Sequence, residues 1–268
     1  MPCLDEIRAK WGAPGGWASG GDEWSGPWGG SEAQWRAALL PRIRSFVPTG
    51  TILELGPGQG RWSRHLAGLC EELVLVDVAG FALEACRRRL AGVAHARFHV
   101  GDGRSLPMVA DGSVDLAFSF DSLVHAEADV LEAYAHELAT KLAPDGVALL
   151  HHSNMGAYRR GARLARALPE RPRRALTRRG LLPSVYGWRA ESTTAAWFAR
   201  TCERAGLDVV GQELISWEYG PFLTDAITLV TPRRSPPRSR PIVVRNRRFI
   251  EGTRSGAAPA PLYAAARR

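Results

Sequence analysis

The chain has 268 residues, 45% of them hydrophobic, and a formal net charge of +8, which suits one α/β domain with additions at its ends and excludes wholesale disorder. No apolar run approaches the roughly 18 to 20 residues that cross a bilayer, and the opening MPCLDEIRAKWG lacks the basic start and apolar core of a secretory leader. Four scattered cysteines (Cys3, Cys70, Cys86, Cys202) without a CxxC pair suggest neither a disulfide framework nor a zinc site, so a reduced, cytoplasmic setting is expected. The charge is unevenly placed. Residues 157–190 and 232–268 each hold ten Arg and one Glu, which leaves −10 on the remainder. Such basic attachments can be solvated helix faces or contacts for phosphates and polyanions.

In chain order, residues 12–30 are rich in Gly with interleaved Trp and read as a loop draped over the domain. Residues 31–47 look helical, with Ser31 as N-cap and Pro41 as a kink or break. From residue 50 apolar strands (51–55, 73–76, 97–100, 114–118, 147–151) alternate with amphipathic helices (61–69, 81–90, 130–142), the pattern of a parallel sheet covered on both faces. The basic stretch interrupts this rhythm. A helix over 193–205 resumes it, followed by strands 207–217 and 223–230 around Gly220-Pro221; so short a turn demands an antiparallel pair. The tail from Pro232 reads as loosely ordered, with 241–244 a candidate edge strand. The expected fold is a Rossmann-like, doubly wound α/β sheet, mostly parallel, with a C-terminal antiparallel hairpin. Its parts are a loop-and-helix cap (1–48), a cofactor-binding core (49–154), a basic lid insertion (155–190), the C-terminal part of the core (191–231) and a basic tail (232–268).

After the first strand comes Glu54-Leu-Gly-Pro-Gly-Gln-Gly60, leading into a helix, and Asp77 ends the second strand. The glycines at 56, 58 and 60 permit a tight turn with backbone N–H groups close to a ligand at a helix start, and an acid at Asp77 can accept from two ribose hydroxyls. A dinucleotide fingerprint spaces its glycines GxGxxG. The spacing here is GxGxG with an acid two residues ahead, which resembles motif I of the class I S-adenosylmethionine methyltransferases. That resemblance implies S-adenosylmethionine as cofactor, held by Glu54, Gly56, Gly58, Gly60 and Asp77. It also implies that Asp102 with Gly103, after the third strand, meets the adenine, and that Phe120 in Ser-Phe-Asp121, after the fourth, lies where cofactor and acceptor meet. Turn-forming for Asp102 and core packing for Phe120 are the plain alternatives.

Methylating an unactivated hydroxyl requires alignment and removal of a proton, for which a histidine suits. Three of the seven histidines sit at strand tips: His125, and the adjacent His151 and His152. Neighbouring strand residues point to opposite faces, so only one of the latter two enters the cleft; His152 is favoured as a base alongside His125, with His151 an acceptor contact. Asp121 could orient a histidine. Asp121, His125, Glu127 and His152 could ligate a metal, but no spacing signature supports one, and none is assigned. Trp24, Trp28 and Tyr158 are candidate acceptor contacts, and residues 155–190, with Tyr186 and Trp188, a lid whose arginines meet phosphate or carboxylate.

The stretches FSFDSLVHAEADV, GVALLHHSN, QELISW and GDEW resemble a bacterial group of class I methyltransferases found around glycan and glycosylated natural-product biosynthesis. The resemblance implies O-methylation of a sugar or glycosylated small molecule. N- or C-methylation is the alternative within the same scaffold, and an RNA-binding or RNA-modifying protein that uses the basic segments is the alternative outside it. Against the latter, the basic stretches carry no nucleic-acid motif.

Overall fold

The computed structural model describes residues 4–185, 188–217, 220–233, 240–257 and 259–265. Its strands are β1 (Thr49–Leu55), β2 (Cys70–Asp77), β3 (Ala96–Val100), β4 (Val114–Ser119), β5 (Leu142–Ser153), β6 (Leu207–Ile215), β7 (Asp225–Pro232) and β8 (Ile242–Asn246). The helices are α1 (Leu4–Trp11), α2 (Ser31–Gln34), α3 (Leu40–Ile43), α4 (Ser63–Leu66), α5 (Gly80–Arg89), α6 (Ala128–Lys141), α7 (Arg159–Ala167), α8 (Glu170–Arg178), α9 (Ala195–Ala205), α10 (Phe249–Arg254) and α11 (Leu262–Ala265).

The strands form one sheet in the order β3-β2-β1-β4-β5-β7-β6-β8. β1 to β5 run parallel, β7 runs antiparallel to both β5 and β6, and β8 is parallel to β6. The period-two alternation of side chains sorts the core onto two faces. Ile52, Leu73, Leu75, Leu116 and Phe118 pack on one side; Leu53, Leu55, Val74, Val76 and Ala117 pack on the other. Because β1 and β4 part company from their neighbours in opposite directions after their C-terminal ends, the crevice for a ligand opens at those tips.

Four local expectations need correction. Residues 4–11 form a helix, and the glycine-rich stretch after it holds two short 3-10 turns, Pro14–Gly16 and Asp22–Trp28. Ser31 is the first residue of α2 rather than its cap; the cap is Gly30, without a side-chain bond, and Ser31 Oγ instead receives a hydrogen bond from Arg64. Pro41 does not simply break the helix over 31–47. Lacking an N–H, it sits at the start of α3, and the preceding turn, Trp35–Leu39, widens into a π-helical segment that absorbs the missing bond. The tail is ordered where it is described: β8 adds to β6, and Phe249, Leu262 and Tyr263 are buried in the core.

A buried ion pair fastens that tail. Arg42 of α3 makes a bidentate pair with Glu213 of β6, at 2.8 and 2.7 Å. Tyr263 Oη and Asn246 Nδ2 both donate to the same carboxylate, at 2.6 and 2.8 Å. Burial alone would raise the Glu213 carboxyl, but the adjacent guanidinium holds it below its ordinary value. Breaking a buried pair by removing one partner leaves the other charge uncompensated. Glu213→Leu should therefore cost about 3–5 kcal/mol in urea unfolding, and the double variant with Arg42→Met should recover part of that loss.

Candidate active site

The loop after β1 is shaped by two close approaches. Gly56 has φ +70°, and a Cβ there would stand 1.8 Å from Ser122 Oγ. Gly58 has φ +56°, and its Cβ would stand 2.6 Å from the Trp17 ring. Neither site admits a side chain, so backbone lines the cavity. Asp77, at the tip of β2, braces the loop: Gly58 N–H donates to Oδ2 at 2.9 Å and Ala79 N–H to Oδ1 at 2.8 Å. Burial pushes the Asp77 carboxyl up, against the pull of those N–H groups. Glu54 lies beneath the loop, where Oε2 accepts from Ser63 Oγ at 2.5 Å, and burial raises it to about 8. It lines none of the cavities described below, so its observed role is to hold the loop from underneath.

Two cavities meet at Asp77. One is floored by Gly56, Gly58, Arg61 and Phe120 and roofed by Trp11, Trp17 and Trp24. The other is a mostly apolar slot among Leu4, Ile7, Val78, Gly103, Ala126 and Tyr134. A third cavity of about 470 Å³ lies beyond His125, with Lys10, Trp188, Arg189 and Trp217 in its walls. It shares Trp11, Trp24, Asp121 and His125 with the first.

The tips of β1, β4, β5 and β7 are joined by a chain of charged and polar groups. Arg61, buried between the rings of Trp24 and Trp62 at 5.4 and 4.3 Å, pairs with Asp121 at 2.7 Å. Asp121 adopts φ +67°, unique among the described non-glycine residues. Its N–H donates to His151 Nδ1 at 3.1 Å, so that nitrogen carries a lone pair and Nε2 carries the proton, facing Asp225 Oδ2 at 3.2 Å. Asp225 also accepts two bonds from Arg189 Nε at 2.9 and 3.0 Å and one from Trp217. Burial alone would raise both carboxyls, but Arg61 beside Asp121 and Arg189 beside Asp225 hold them below their ordinary values.

His125 sits on a short 3-10 turn, Leu123–His125. Its Nδ1 is hydrogen-bonded to the Trp188 carbonyl, which can only accept, so Nδ1 is protonated and Nε2 is free to accept. The ring lies tilted between Trp11 and Trp188, 5.4 and 5.7 Å away. Burial pushes its pKa down to about 3, and Arg189 and Lys10 act in the same direction.

Several expected site residues lie elsewhere. His152 points to the opposite sheet face, as strand alternation requires. Its Nε2 meets Thr228 Oγ1 at 2.7 Å, and its ring packs on Phe198. It therefore cannot serve the cleft, and the four conceivable metal ligands do not converge. His151 is on the cleft side but fully buried beneath Phe120, with rings 4.4 Å apart, where both nitrogens are engaged. Trp28 is core: Nε1 donates to Thr253 Oγ1 at 2.9 Å. The Tyr158 hydroxyl accepts from Leu223 N–H at 3.1 Å, and its ring abuts Phe222, away from the three cavities. Asp102 is a turn former whose carboxylate accepts from Arg104 and Ser105; Gly103 lines the apolar slot instead. Tyr186 lies outside the described residues. Trp24, Asp121 and His125 do converge, together with Phe120 and the glycine loop.

The sequence reading missed Arg61, Lys10, Trp11, Trp17, Arg189 and Asp225. Arg61 had a signal: it follows Gly60 directly, at the start of the helical segment. Asp225 had one as well, as a lone acid opening the otherwise apolar run Asp-Ala-Ile-Thr-Leu-Val230.

The family profile described as a methyltransferase domain matches residues 52–146, which run from β1 into β5. Over those residues the chain is similar to a methyltransferase domain. Among solved structures, the chain is similar to the PH0226 protein from Pyrococcus horikoshii OT3, with TM-score 0.55 and 18% identity over 75% of this chain and 91% of that one. It is also similar to DhpI in a complex with SAM and HEP, with TM-score 0.53 and 18% identity over 85% of this chain and 95% of that one. A DhpI–SAH complex gives TM-score 0.51 and 19% identity over 85% and 94%. At such identities the likeness is one of fold. No curated protein matches the chain.

Two outcomes follow from this geometry. Gly56→Ala places a methyl group into Ser122 at a left-handed backbone position and should abolish binding of S-adenosylhomocysteine in calorimetry. The second concerns acid stability. Burial lowers His152 to about 4 and His125 to about 3, whereas an unfolded histidine titrates near about 6.5. Their stabilisation is fully present above that unfolded value and is lost as pH falls through it. The Tm should drop between about pH 7 and pH 5, and His152→Gln should flatten that slope.

Proposed function

We propose that the protein is an S-adenosylmethionine-dependent methyltransferase that acts on a hydroxyl of a sugar or glycosylated small molecule, with His125 as general base. The observation that carries this reading is the place of His125 in the wall common to two cavities. Its Nδ1–H is given to the Trp188 carbonyl, and Nε2 has no hydrogen-bond partner among the described residues.

The residues present fit the donor. The glycine cradle keeps open the space that a Cβ would fill, Arg61 brings positive charge to that end, and Asp77 would accept from ribose hydroxyls with its remaining lone pairs. The slot beside Gly103 and Tyr134 suits a flat apolar ring. The DhpI complexes with SAH and SAM support the same assignment at the level of fold. When bound, S-adenosylmethionine supplies a methyl carbon on a sulfonium, open to in-line displacement.

On the acceptor side, Trp11, Trp24, Trp188 and Trp217 offer apolar ring faces beside Lys10, Glu23 and Arg189. Indole faces with a few polar groups suit the mixed C–H and hydroxyl surface of a sugar. Lys10 lies over Trp11 and Trp188, at 5.0 and 4.6 Å, without a carboxylate partner among the described residues. It is therefore available to a phosphate or carboxylate on the acceptor. In such a displacement His125 Nε2 would take the proton that the attacking acceptor hydroxyl gives up. The Asp121 carboxylate stabilises the imidazolium that forms.

His125→Ala should lower kcat by about 10²–10⁴ while leaving S-adenosylhomocysteine affinity within a few-fold by calorimetry. Because burial keeps the ring neutral, the wild-type rate should show no acid limb near the ordinary histidine value of about 6.5. Unchanged turnover in His125→Ala would remove it as the base.

A further inference from the structure

Among the described residues, unbalanced charge outside the cleft gathers on the α7–α8 hairpin. α7 rests on the domain through small residues: Ala162 and Ala165 are buried, and a Cβ on Gly161 would stand 3.0 Å from Pro183. Its outer face presents Arg159, Arg160, Arg163 and Leu164, and Leu164 is 54% exposed. α8 and the turn after it expose Arg171, Arg178, Arg179 and Leu181, the last 62% exposed. The Gly161–Pro183 contact holds that turn against α7.

Two arginines of the hairpin are satisfied, Arg166 by Glu191 and Arg174 by Glu170. The side chains of Arg159, Arg160, Arg163, Arg171, Arg178 and Arg179 have no ion pair or hydrogen bond among the described residues.

We propose that this face docks the protein on an anionic lipid surface. Unpaired guanidiniums attract lipid phosphates, and leucines on the same face insert between headgroups while neighbouring Arg stems lie along the boundary. Leu164 follows Arg160 by one helical turn, so charge and apolar insertion share one side. A single-stranded nucleic acid would instead favour aromatic rings for base stacking, and the exposed face carries none among the described residues. No helix among those residues is long and apolar enough to cross a membrane, so the contact is peripheral. Arg166 of α7 also lines a cavity that shares Lys10, Trp188 and Arg189 with the acceptor cavity. Docking would therefore bring the acceptor entrance beside the headgroups. The docking itself does not depend on the proposed reaction.

The test is co-sedimentation of the full chain with vesicles of phosphatidylcholine, alone or mixed with phosphatidylglycerol. Binding is expected only to the anionic vesicles and should fall as salt rises from about 0.1 to 0.5 M. Arg160→Glu with Arg163→Glu should weaken partitioning by at least about tenfold. Leu164→Ser should weaken it at unchanged charge, and all variants should keep wild-type affinity for S-adenosylhomocysteine in calorimetry, which reports the fold independently. Three results would each overturn the proposal: no binding to anionic vesicles; binding lost in Arg245→Glu with Arg247→Glu but retained in the α7 variants; or tighter binding to a single-stranded RNA oligonucleotide, insensitive to Leu164→Ser.

Discussion

Five side chains from distant parts of the chain, Arg61, Asp121, His151, Asp225 and Arg189, share one buried run of hydrogen bonds and ion pairs at the strand tips. Each group is there only because the next one is. A buried carboxylate without its guanidinium would protonate or unfold the site, and Asp121 holds a backbone conformation costing roughly 1–2 kcal/mol because Arg61 and His151 fix it from both sides. The run fastens the helix start after the glycine loop, the tips of β4, β5 and β7, and the end of the inserted segment. The cavity over the glycine loop and the cavity beyond His125 both have Asp121 in their walls, so their alignment depends on it.

The N-terminal residues contribute to the same alignment. Leu4 and Ile7 close the apolar slot, and Trp11, Trp17 and Trp24 pack on one another and roof the glycine loop. A stretch rich in glycine can follow the domain surface closely, and its tryptophans find their packing partners in one another and in the site. The mutual contacts place indole faces over the glycine loop and Asp77. The inserted segment divides its labour. Its end, Trp188 and Arg189, enters the acceptor cavity, while α7 and α8 direct most of their arginines outward.

Much of the architecture was legible from pattern. The alternation of apolar strands with amphipathic helices, the two-residue glycine spacing and the acid at Asp77 are local signals, and the strands, the parallel order of β1 to β5 and the antiparallel β6–β7 pair follow them. The tail was misread because its order comes from a buried pair, Arg42 with Glu213, separated by 171 residues, and a run of Pro and Arg carries no trace of that. The helix of residues 4–11 was missed because eight residues give little periodicity. At the site, Asp121 and His125 were picked out by their place after a strand end and Trp24 as a tryptophan of the glycine-rich stretch, whereas Trp28, Tyr158 and His152 line none of the three cavities.

The sequence by itself determined the sheet, the glycine loop and the acid that meets it, because each rests on backbone requirements expressed within a few residues. Only the tertiary structure decided which histidine lines the cavities with a free nitrogen. Strand alternation allowed either member of the His151–His152 pair to turn inward. The inward one, His151, is consumed by Asp121 and Asp225, while His152 is held by Thr228 and Phe198 on the far face. His125 remains with a free nitrogen because its other nitrogen meets a carbonyl 63 residues away. Such pairings depend on where separate segments come to rest, and no local pattern encodes them.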